Sequence, residues 1–293
     1  MIISKTPLRM SFVGGGSDLS AFYKRNGGAV LSTSIDKYIY INVNKKFDSG
    51  IRVAYSKTEE VDSVSKIEHK LVKESLKYLD ISGGLEITSI ADIPASGSGL
   101  GSSSSFTVGL LNTLNAFNNN YCSKEKLGLE SCKIEIEKCG QPIGKQDQYA
   151  AAYGGLNLIE FNKDDSVKVT PVIAKTDTIK TIEDNILVFY TGITRSATEI
   201  LTKQNSEIIN NELKNNTLIK MVDLTYNLFN EIQNNNHKAF GEILNANWLL
   251  KKSLTDGISN KFIDDCYDTA IKAGALGGKI LGAGAGGFLM FYA

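Results

Sequence analysis

The chain is poor in the residues that usually build metal centres, disulfides and histidine-dependent active sites. Its 293 residues include four cysteines, two histidines, four prolines and one tryptophan. No two cysteines form a C-x-x-C pair, and the histidines lie far from them in the sequence. These absences argue against a zinc site, a disulfide scaffold and catalysis by histidine. We therefore expect a cytoplasmic protein with reduced, buried thiols, in which His69 and His237 are solvated helix residues.

An excess of one charge and a long apolar run are also missing. The 32 basic and 32 acidic residues cancel, so neither a nucleic acid nor an anionic membrane surface is expected as the main partner. No apolar run approaches the roughly 18 residues that suggest a membrane span, and residues 1–7 lack the pattern of a secretion signal. The sequence predicts a globular protein that binds neither nucleic acid nor membrane, and it leaves a homodimer open.

What the chain does contain is a mixture of short apolar runs and helical patterns, with a second half that is mostly helical. The predicted strands lie at 10–13, 29–32, 38–43, 51–54, 85–90, 155–161, 167–172, 186–190, 279–281 and 288–292. The predicted helices lie at 65–79, 102–118, 124–139, 197–232, 237–250 and 258–273. Because the pattern changes near residues 171–180, we predict two domains, 1–175 and 176–293.

The most informative segment is 94–105, which reads Pro-Ala-Ser-Gly-Ser-Gly-Leu-Gly-Ser-Ser-Ser-Ser. Gly97, Gly99 and Gly101 leave the backbone N–H groups uncovered, and the serines stand where an apolar helix begins. A helix N-terminus with free N–H groups suits an anion, above all phosphate. No lysine follows Gly101, so the segment is not a Walker A loop. A flexible turn that is capped by serine is the alternative.

Two other segments bring charged side chains close to glycines. In the first, a predicted strand carries Arg9, three glycines follow, and Asp18 comes directly after Ser17. In the second, Asp147 lies between a Gly/Pro turn and small residues that leave its carboxylate few neighbours, so it could accept a proton from a hydroxyl group. The alternative is that Ser17, Asp18 or Asp147 only caps a helix.

One glutamate on the predicted helix 124–139 is a candidate metal ligand. The apolar face of this helix is predicted to consist of Leu129, Cys132, Ile136 and Cys139. Glu135 borders that face more closely than Glu137 does. A partly sheltered carboxylate of this kind suits Mg²⁺, which binds one or two protein oxygens together with substrate phosphates.

A second glycine cluster, 282–287, fits the pattern G-x-G-x-x-G. A dinucleotide-binding fold needs a helix and a further strand after this pattern, and the sequence leaves no room for them. We expect instead a glycine turn that brings the backbone close to a ligand or to the other domain.

With these segments the chain resembles the GHMP kinase family, which includes galactokinase, homoserine kinase and mevalonate kinase. Residues 97–104 resemble the phosphate loop G-x-G-L-G-S-S-S/A, residues 282–287 the C-terminal glycine motif, and residues 7–18 the N-terminal motif. Within the family, 7–19 and 144–155 are most similar to D-glycero-D-manno-heptose 7-phosphate kinases. The resemblance implies an α+β fold with two domains, an N-terminal domain like domain 2 of ribosomal protein S5 and a ferredoxin-like C-terminal domain. The latter is expected to lack its final helix and strand.

The resemblance also implies an activity and a set of roles. The activity is an ATP- and Mg²⁺-dependent transfer of phosphate to the anomeric hydroxyl of heptose 7-phosphate, in the synthesis of bacterial surface glycans. Asp147 matches the catalytic aspartate, Arg9 the basic residue beside it, and Ser103 and Glu135 the magnesium ligands. The implied ATP contacts are Pro94, Gly97, Ser98, Gly99, Leu100, Gly101, Ser102, Ser103 and Ser104, and the implied sugar contacts are Gly15, Gly16, Ser17, Asp18 and Gly284.

Some features depart from the family pattern or leave the substrate open. Galactokinases have Glu-His-Thr-Asp where this chain has residues 15–18, Gly-Gly-Ser-Asp, which argues against galactose. Heptose kinases usually have threonine in place of Ser17. A sugar phosphate needs a second phosphate pocket, for which Arg195 is the main candidate because arginine binds phosphate in a bidentate manner. The other candidates are Lys24, Arg25, Lys251 and Lys252. A kinase for another sugar, such as fucose, and a non-catalytic sugar- or nucleotide-binding relative remain alternatives.

Overall fold

Two β-sheets and the helices between them make up the fold. The computed structural model describes residues 1–93, 97–193 and 197–293. The strands of these ranges are β1 (Ile2–Val13), β2 (Gly28–Lys45), β3 (Ile51–Ala54), β4 (Thr58–Val61), β5 (Leu85–Ala91), β6 (Leu156–Phe161), β7 (Val167–Pro171), β8 (Ile186–Tyr190), β9 (Gly277–Ile280) and β10 (Phe288–Tyr292). One sheet has the order β4-β3-β5-β2-β6-β7 with β1 also on β2, and the other has the order β8-β10-β9.

Strand β2 is the centre of the larger sheet. Its first half pairs with β6 and its second half with β5, whereas β1 runs along its opposite edge. Ile39, Ile41 and Val43 alternate into the core, as a half-buried strand requires. The sequence predicted two strands here, because the mostly polar residues 33–37 interrupt the apolar pattern. The prediction was wrong because pairing with β1 on both sides of this stretch holds one continuous strand.

The helices are α1 (Ser20–Asn26), α2 (Lys70–Tyr78), α3 (Ser102–Phe117), α4 (Lys124–Cys132), α5 (Gln146–Tyr153), α6 (Thr176–Asp184), α7 (Ala197–Asn210), α8 (Glu212–Gln233), α9 (Ala239–Lys252) and α10 (Lys261–Lys272). The helix predicted at 197–232 is divided into α7 and α8, and α6 was not predicted. Strand β4 was also missed, because its sequence, TEEV, lacks the apolar alternation of a strand. No helix within the described ranges is both long and apolar enough to cross a membrane.

The helix predicted at 124–139 consists of α4 and a following π-helical turn, Lys133–Lys138. The wider turn changes the angle between successive side chains, so the predicted apolar face does not stay on one side. Ile134, within this turn, is buried. Leu129 lies in α4 before the turn and is 55% exposed, so the predicted apolar face was wrong there as well. Of the four cysteines expected to be buried, Cys122, Cys132 and Cys139 are buried, whereas Cys266 is only half-buried.

The two predicted domains share one hydrophobic core. Phe12 of β1 packs edge-on against Phe240 of α9, with ring centroids 5.0 Å apart. Lys279 of β9 donates hydrogen bonds to the carbonyl oxygens of Ser11 (2.7 Å) and Phe12 (3.0 Å). Side chains of β1, β2, α8, α9 and β10 belong to the same buried cluster. The domain boundary at 175/176 stays a prediction, and the two regions that it separates pack against each other.

Candidate active site

The glycine-rich segment bends in front of helix α3. Gly99 and Gly101 have φ angles of +76° and +75°, which glycine adopts without strain. A side chain at Gly99 would lie 2.5 Å from the carbonyl oxygen of Leu281. The N–H group of Ser105 donates to Gly101 O (2.9 Å), and the N–H groups of the preceding helical residues, 102–104, have no acceptor one turn back inside the helix. They are therefore oriented to bind an anion.

Arg9 connects this bend to strand β1. The register between β1 and β2 shifts between Pro7 and Arg9, and such a bulge redirects the side chain that follows it. The backbone N–H of Arg9 donates to Leu100 O (3.0 Å), and Nη1 donates to Gly99 O (2.6 Å). Arg9 is thereby fixed against the glycine bend, and its Nε and Nη2 face a further partner, Asp147.

Asp147 lies in the first turn of α5 and forms a bidentate ion pair with Arg9. Arg9 Nε donates to Oδ1 (2.8 Å) and Nη2 to Oδ2 (2.7 Å), the geometry of a strong charge-assisted pair. The Arg9 side chain is 5% exposed, whereas that of Asp147 is 25% exposed, so the carboxylate keeps an open side. Gly101 leaves that side uncovered, since an added Cβ there would lie 3.4 Å from Oδ2. The N-cap of α5 is Lys145, so Asp147 does not cap its helix.

Glu135 lies in the π-helical turn, behind the first turn of α3. It is fully buried. Its Oε1 accepts from Ser103 Oγ (2.6 Å), and its Oε2 accepts from Ser104 Oγ (2.7 Å) and Gln148 Nε2 (2.6 Å). Burial raises the pKa of Glu135, whereas these three donors lower it. The sequence favoured Glu135 over Glu137 as the sheltered carboxylate, and Glu137 is exposed.

The oxygen atoms of Ser103 and Glu135 suit a magnesium ion that also binds phosphates. Ser103 is exposed to the cavity and its hydroxyl contacts the buried carboxylate, so two oxygen ligands lie side by side at the start of α3. Across the described ranges, no three His, Cys, Asp or Glu side chains form a metal-binding cluster. Mg²⁺ needs no such cluster, because it keeps water ligands and binds one or two carboxylates together with substrate phosphates.

The N-terminal glycine motif forms a turn that buries Asp18. Oδ1 of Asp18 accepts from the N–H of Gly16 (3.0 Å) and from Gln146 Nε2 (3.1 Å), and Oδ2 accepts from the N–H of Gln146 (3.3 Å). Burial raises the pKa of Asp18, and the negative charge of Asp147 raises it further. Asp18 does not cap α1, whose N-cap is Leu19.

One cavity of about 570 Å³ joins Arg9, Asp147, Asp18 and the glycine bend. Glu135 does not line this cavity, because it is buried behind the hydroxyl groups of Ser103 and Ser104. Of the residues singled out in the sequence, its lining includes Arg9, Gly16, Asp18, Gly97, Ser98, Gly99, Gly101, Ser102, Ser103, Ser104, Asp147 and Lys251. The C-terminal glycine turn closes one wall through Gly282 and Ala283. The structure therefore brings all three glycine motifs to one cavity.

Several predicted sugar and ATP contacts lie outside this lining. Ser17 is buried and exchanges hydrogen bonds with the backbone of Ala29 (3.0 and 3.1 Å). Leu100 is buried in the core. Gly284 packs against the segment that precedes α10, where an added Cβ would lie 2.6 Å from Ile258 O. None of these three residues lines the cavity, and neither does Gly15.

Most of the predicted phosphate-binding cations lie elsewhere. Lys24 pairs with Asp165 (2.9 Å) and Lys252 with Asp264 (2.5 Å). Arg25 is exposed, and none of the three lines the cavity. Pro94 and Arg195 lie outside the described residues.

A second cavity, of about 360 Å³, opens beside the first turn of α3. Ser102 and Ser103 line both cavities. Its aromatic walls are formed by His69, which stacks on Phe106 (5.0 Å between centroids) and meets Tyr55 edge-on (4.7 Å). The two cavities together have the form of an aromatic slot next to an anion site.

The expectation that both histidines are solvated helix residues was wrong. His69 is the N-cap of α2, and its Nδ1 accepts from the N–H of Val72 (3.4 Å). Burial between the aromatic rings lowers the pKa of His69. His237 is half-buried and precedes α9. The burial of both histidines depends on tertiary packing, which the local sequence pattern does not show.

Sequence reasoning missed three glutamines at the site. Gln146 holds Asp18 and accepts from Ser11 Oγ (2.6 Å), Gln148 holds Glu135, and Gln204 of α7 lines the cavity. Gln146 and Gln148 flank Asp147 directly, and polar amides on both sides of a candidate acid were a usable signal. Gln204 carries no such signal, because its helix is distant in sequence from every motif.

Two family models match parts of the chain, and individual proteins are similar to nearly all of it. The model of the GHMP kinases N terminal domain matches residues 65–155, and that of the GHMP kinases C terminal matches residues 228–292. The chain is 31% identical to the D-glycero-alpha-D-manno-heptose 7-phosphate kinase of Campylobacter jejuni, over 99% of this chain and 89% of that protein. It is 27% identical to the L-fucokinase/L-fucose-1-P guanylyltransferase of Bacteroides fragilis, over 100% of this chain and 34% of that longer protein.

Solved structures have the same fold. A D-glycero-D-manno-heptose 1-phosphate kinase from Bacteroides thetaiotaomicron superposes with a TM-score of 0.81 at 26% identity, over 100% of this chain and 88% of that chain. A putative sugar kinase from Campylobacter jejuni superposes with a TM-score of 0.79 at 28% identity, over the same shares of the two chains.

Proposed function

We propose that this chain, which belongs to the GHMP kinase family, is a kinase for a seven-carbon sugar phosphate. The proposed reaction transfers the γ-phosphoryl group of ATP to the anomeric hydroxyl of D-glycero-D-manno-heptose 7-phosphate and yields the 1,7-bisphosphate. The proposed place of this reaction is the synthesis of surface polysaccharides.

Family membership confirms the predicted fold, the predicted enzyme class and the predicted cofactors. The fold is the mixed α/β fold of GHMP kinases, and the chain is an ATP-dependent sugar kinase that uses ATP with Mg²⁺. The domain boundary, the homodimer and the cytoplasmic location stay predictions, as do the individual roles of the site residues.

The observation that carries the proposal is the Arg9–Asp147 pair at the glycine bend. Arg9 donates to both oxygens of Asp147 and also to Gly99 O. The carboxylate is thereby held at a fixed distance from the amides that would bind the ATP phosphates. Phosphoryl transfer depends chiefly on such positioning and on the stabilisation of charge.

Asp147 is proposed to orient the acceptor hydroxyl and to accept its proton. Each carboxylate oxygen has lone-pair capacity beyond its bond to Arg9, and Asp147 is open to the cavity. Arg9 is proposed to hold the carboxylate in its orientation, because both of its bonds to Asp147 are charge-assisted.

Ser103 and Glu135 are proposed to hold Mg²⁺ against the ATP phosphates. The ion, when bound, would neutralise charge that develops on the transferred group. The N–H groups of residues 102–104 would bind phosphate oxygens. The slot formed by His69, Phe106 and Tyr55 is proposed to receive the base of ATP, since planar aromatic groups stack on a base and the slot adjoins the phosphate site.

The acceptor side of the cavity is proposed to lie at Gly16, Asp18 and Gln146. Asp18 is held by Gln146, and the glycine turn at 15–16 keeps side chains away from the sugar. Arg195 keeps its proposed role as a cation for the distal phosphate.

An ADP-release assay on a panel of acceptors tests this function. The panel contains the heptose 7-phosphate, the same heptose without phosphate, L-fucose and galactose, with ³¹P NMR to identify the product. We expect turnover to be fastest with the heptose 7-phosphate and the new signal to come from an anomeric phosphate. Faster turnover of L-fucose would show that the enzyme is a fucokinase and not a heptose 7-phosphate kinase. If no acceptor led to ADP release, the chain would be a non-catalytic relative. The Asp147→Asn variant is the control for contaminating kinases.

A further inference from the structure

Lys251 on helix α9 is a buried cation that makes no direct contact with an acidic side chain of the described residues. It is 5% exposed, and no carboxylate in the described ranges forms an ion pair with it. Its Nζ donates to one backbone oxygen, that of Gly282 (2.6 Å). Burial lowers the pKa of Lys251 to about 8 and the charge of Arg9 lowers it further, whereas the negative charges of Asp18 and Asp147 raise it. A buried ammonium group is costly unless it is paired, so this position suggests a ligand that supplies the negative charge.

Helix α9 directs this cation at the N-terminal glycine turn. Asn247 and Lys251 are four residues apart and share one face of the helix. Asn247 Oδ1 accepts from the N–H of Gly14 (3.1 Å). One helical turn later, Lys251 Nζ lies 3.7 Å from the position that a Cβ at Gly15 would take. Because Gly15 has no side chain, the ammonium group stays open to the cavity that it lines.

A second donor in the same corner has no partner. Gln204 of α7 is 2% exposed and lines the cavity. Within the described part of the chain, its Nε2 has no hydrogen-bond acceptor. An added Cβ at Gly16 would lie 2.5 Å from this atom, so Gln204 stands next to the glycine turn. A buried N–H group without an acceptor costs free energy, which an oxygen-rich ligand would recover.

We propose that Lys251 Nζ and Gln204 Nε2 form a phosphate-binding corner between the glycine turn 14–16 and Gly282. Both groups only donate hydrogen bonds, and phosphate oxygens at neutral pH mostly accept them. The corner belongs to the cavity that holds Asp147. Its ligand is therefore either the acceptor's own phosphate, which rests on the proposed function, or the phosphoryl group in transfer.

The first test compares Lys251→Met with Lys252→Met. Lys252 is the neighbouring lysine, pairs with Asp264 (2.5 Å) and does not line the cavity, so its variant is the matched control. For Lys251→Met we expect a loss of about 10- to 100-fold in kcat/KM for the phosphorylated acceptor, the range for a hydrogen bond to a charged group. Lys252→Met should keep the wild-type value. An unchanged kcat/KM in Lys251→Met would overturn the proposal.

Two further measurements distinguish the two possible phosphate ligands from each other and from a purely structural role of Lys251. If the ligand is the acceptor's own phosphate, KM rises for the phosphorylated sugar and not for the unphosphorylated one. If it is the phosphoryl group in transfer, kcat falls for both acceptors. The Tm of the ligand-free Lys251→Met protein should equal or exceed that of the wild type, because a costly buried charge is removed. A lowered Tm with equal losses for every substrate, ATP included, would show a structural lysine.

A binding measurement keeps this proposal distinct from the proposed function. The probe is inorganic phosphate in chloride buffer, added to protein saturated with MgADP, and the readout is the increase in Tm. We expect an increase in the wild type and in Lys252→Met, and none in Lys251→Met, with Gln204→Leu between them. Equal increases in all variants would exclude the corner. If the corner binds phosphate while the wild type does not phosphorylate the heptose 7-phosphate, only the proposed function fails.

Discussion

The two carboxylates around the glycine bend are held in opposite ways. Asp147, on the side of strand β1, shares both oxygens with the guanidinium of Arg9 and is 25% exposed. Glu135, on the side of the π-helical turn, is fully buried and accepts hydrogen bonds from two hydroxyl groups and one amide. Among the described residues, Asp147 has a cationic partner and Glu135 has none.

This difference gives the two carboxylates different roles, one with the acceptor hydroxyl and one with the metal ion. A carboxylate that is already paired with arginine does not need a metal, and its open lone pairs suit a hydroxyl hydrogen. A buried carboxylate with only neutral donors leaves its negative charge for a cation that arrives with ATP. The predictions below test this division of work, from the largest expected effect to the smallest.

The largest effect is expected for Asp147→Asn. The amide cannot accept the hydroxyl proton as a carboxylate does, so kcat should fall by about 10²- to 10⁴-fold, the usual contribution of a general base. The KM for ATP should change little. Steady-state kinetics measure both values, and Asp177→Asn, at the exposed first turn of α6, serves as the matched control. A kcat close to that of the wild type would remove Asp147 from proton transfer.

A smaller effect, on magnesium rather than on the acceptor, is expected for Glu135→Gln. The variant keeps the shape but loses the charge that attracts the ion, so the Mg²⁺ concentration for half-maximal rate should rise about 10-fold or more. The variant should regain part of its rate at high Mg²⁺, which Asp147→Asn should not do. The same Mg²⁺ dependence in Glu135→Gln and in the wild type would contradict the assignment.

The pH dependence of stability should reveal the burial of Glu135. The pKa of Glu135 is raised in the folded protein, so this group favours folding at pH values below its ordinary value of 4.5. That contribution is lost as the pH rises through the raised pKa, because the unfolded chain then releases the proton more readily than the folded protein does. The Tm of Glu135→Gln minus that of the wild type should therefore increase between pH 4.5 and neutrality. A constant difference across this range would contradict the raised pKa of Glu135.

The smallest effect separates two neighbouring serines. Ser103 and Ser104 donate bonds of similar length to Glu135 (2.6 and 2.7 Å), but Ser103 is exposed and Ser104 is 2% exposed. Loss of one hydrogen bond is worth about 1 kcal/mol. Ser103→Ala should raise the required Mg²⁺ several-fold, whereas Ser104→Ala should lower only the free energy of unfolding. Equal Mg²⁺ requirements in the two variants would mean that Ser103 is not a metal ligand.

The parts of the molecule that the sequence predicted are those with local signals. The glycine bend before α3 follows from the order of glycines, serines and apolar residues, and the closeness of Arg9 to Asp147 follows from the resemblance. Features that depend on long-range contacts or on an irregular helical turn could not be predicted. The continuity of β2 comes from β1, the burial of Ile134 comes from the π-helical turn, and Gln204 reaches the cavity through the packing of α7.

The most direct test of the division between the two carboxylates is the binding of Mn²⁺ with ADP, measured by electron paramagnetic resonance in the wild type, Asp147→Asn and Glu135→Gln. The account predicts that Asp147→Asn binds the metal as tightly as the wild type does, and that Glu135→Gln binds it about 10-fold more weakly or worse. Weaker binding in Asp147→Asn together with unchanged binding in Glu135→Gln would reverse the two roles and contradict the account.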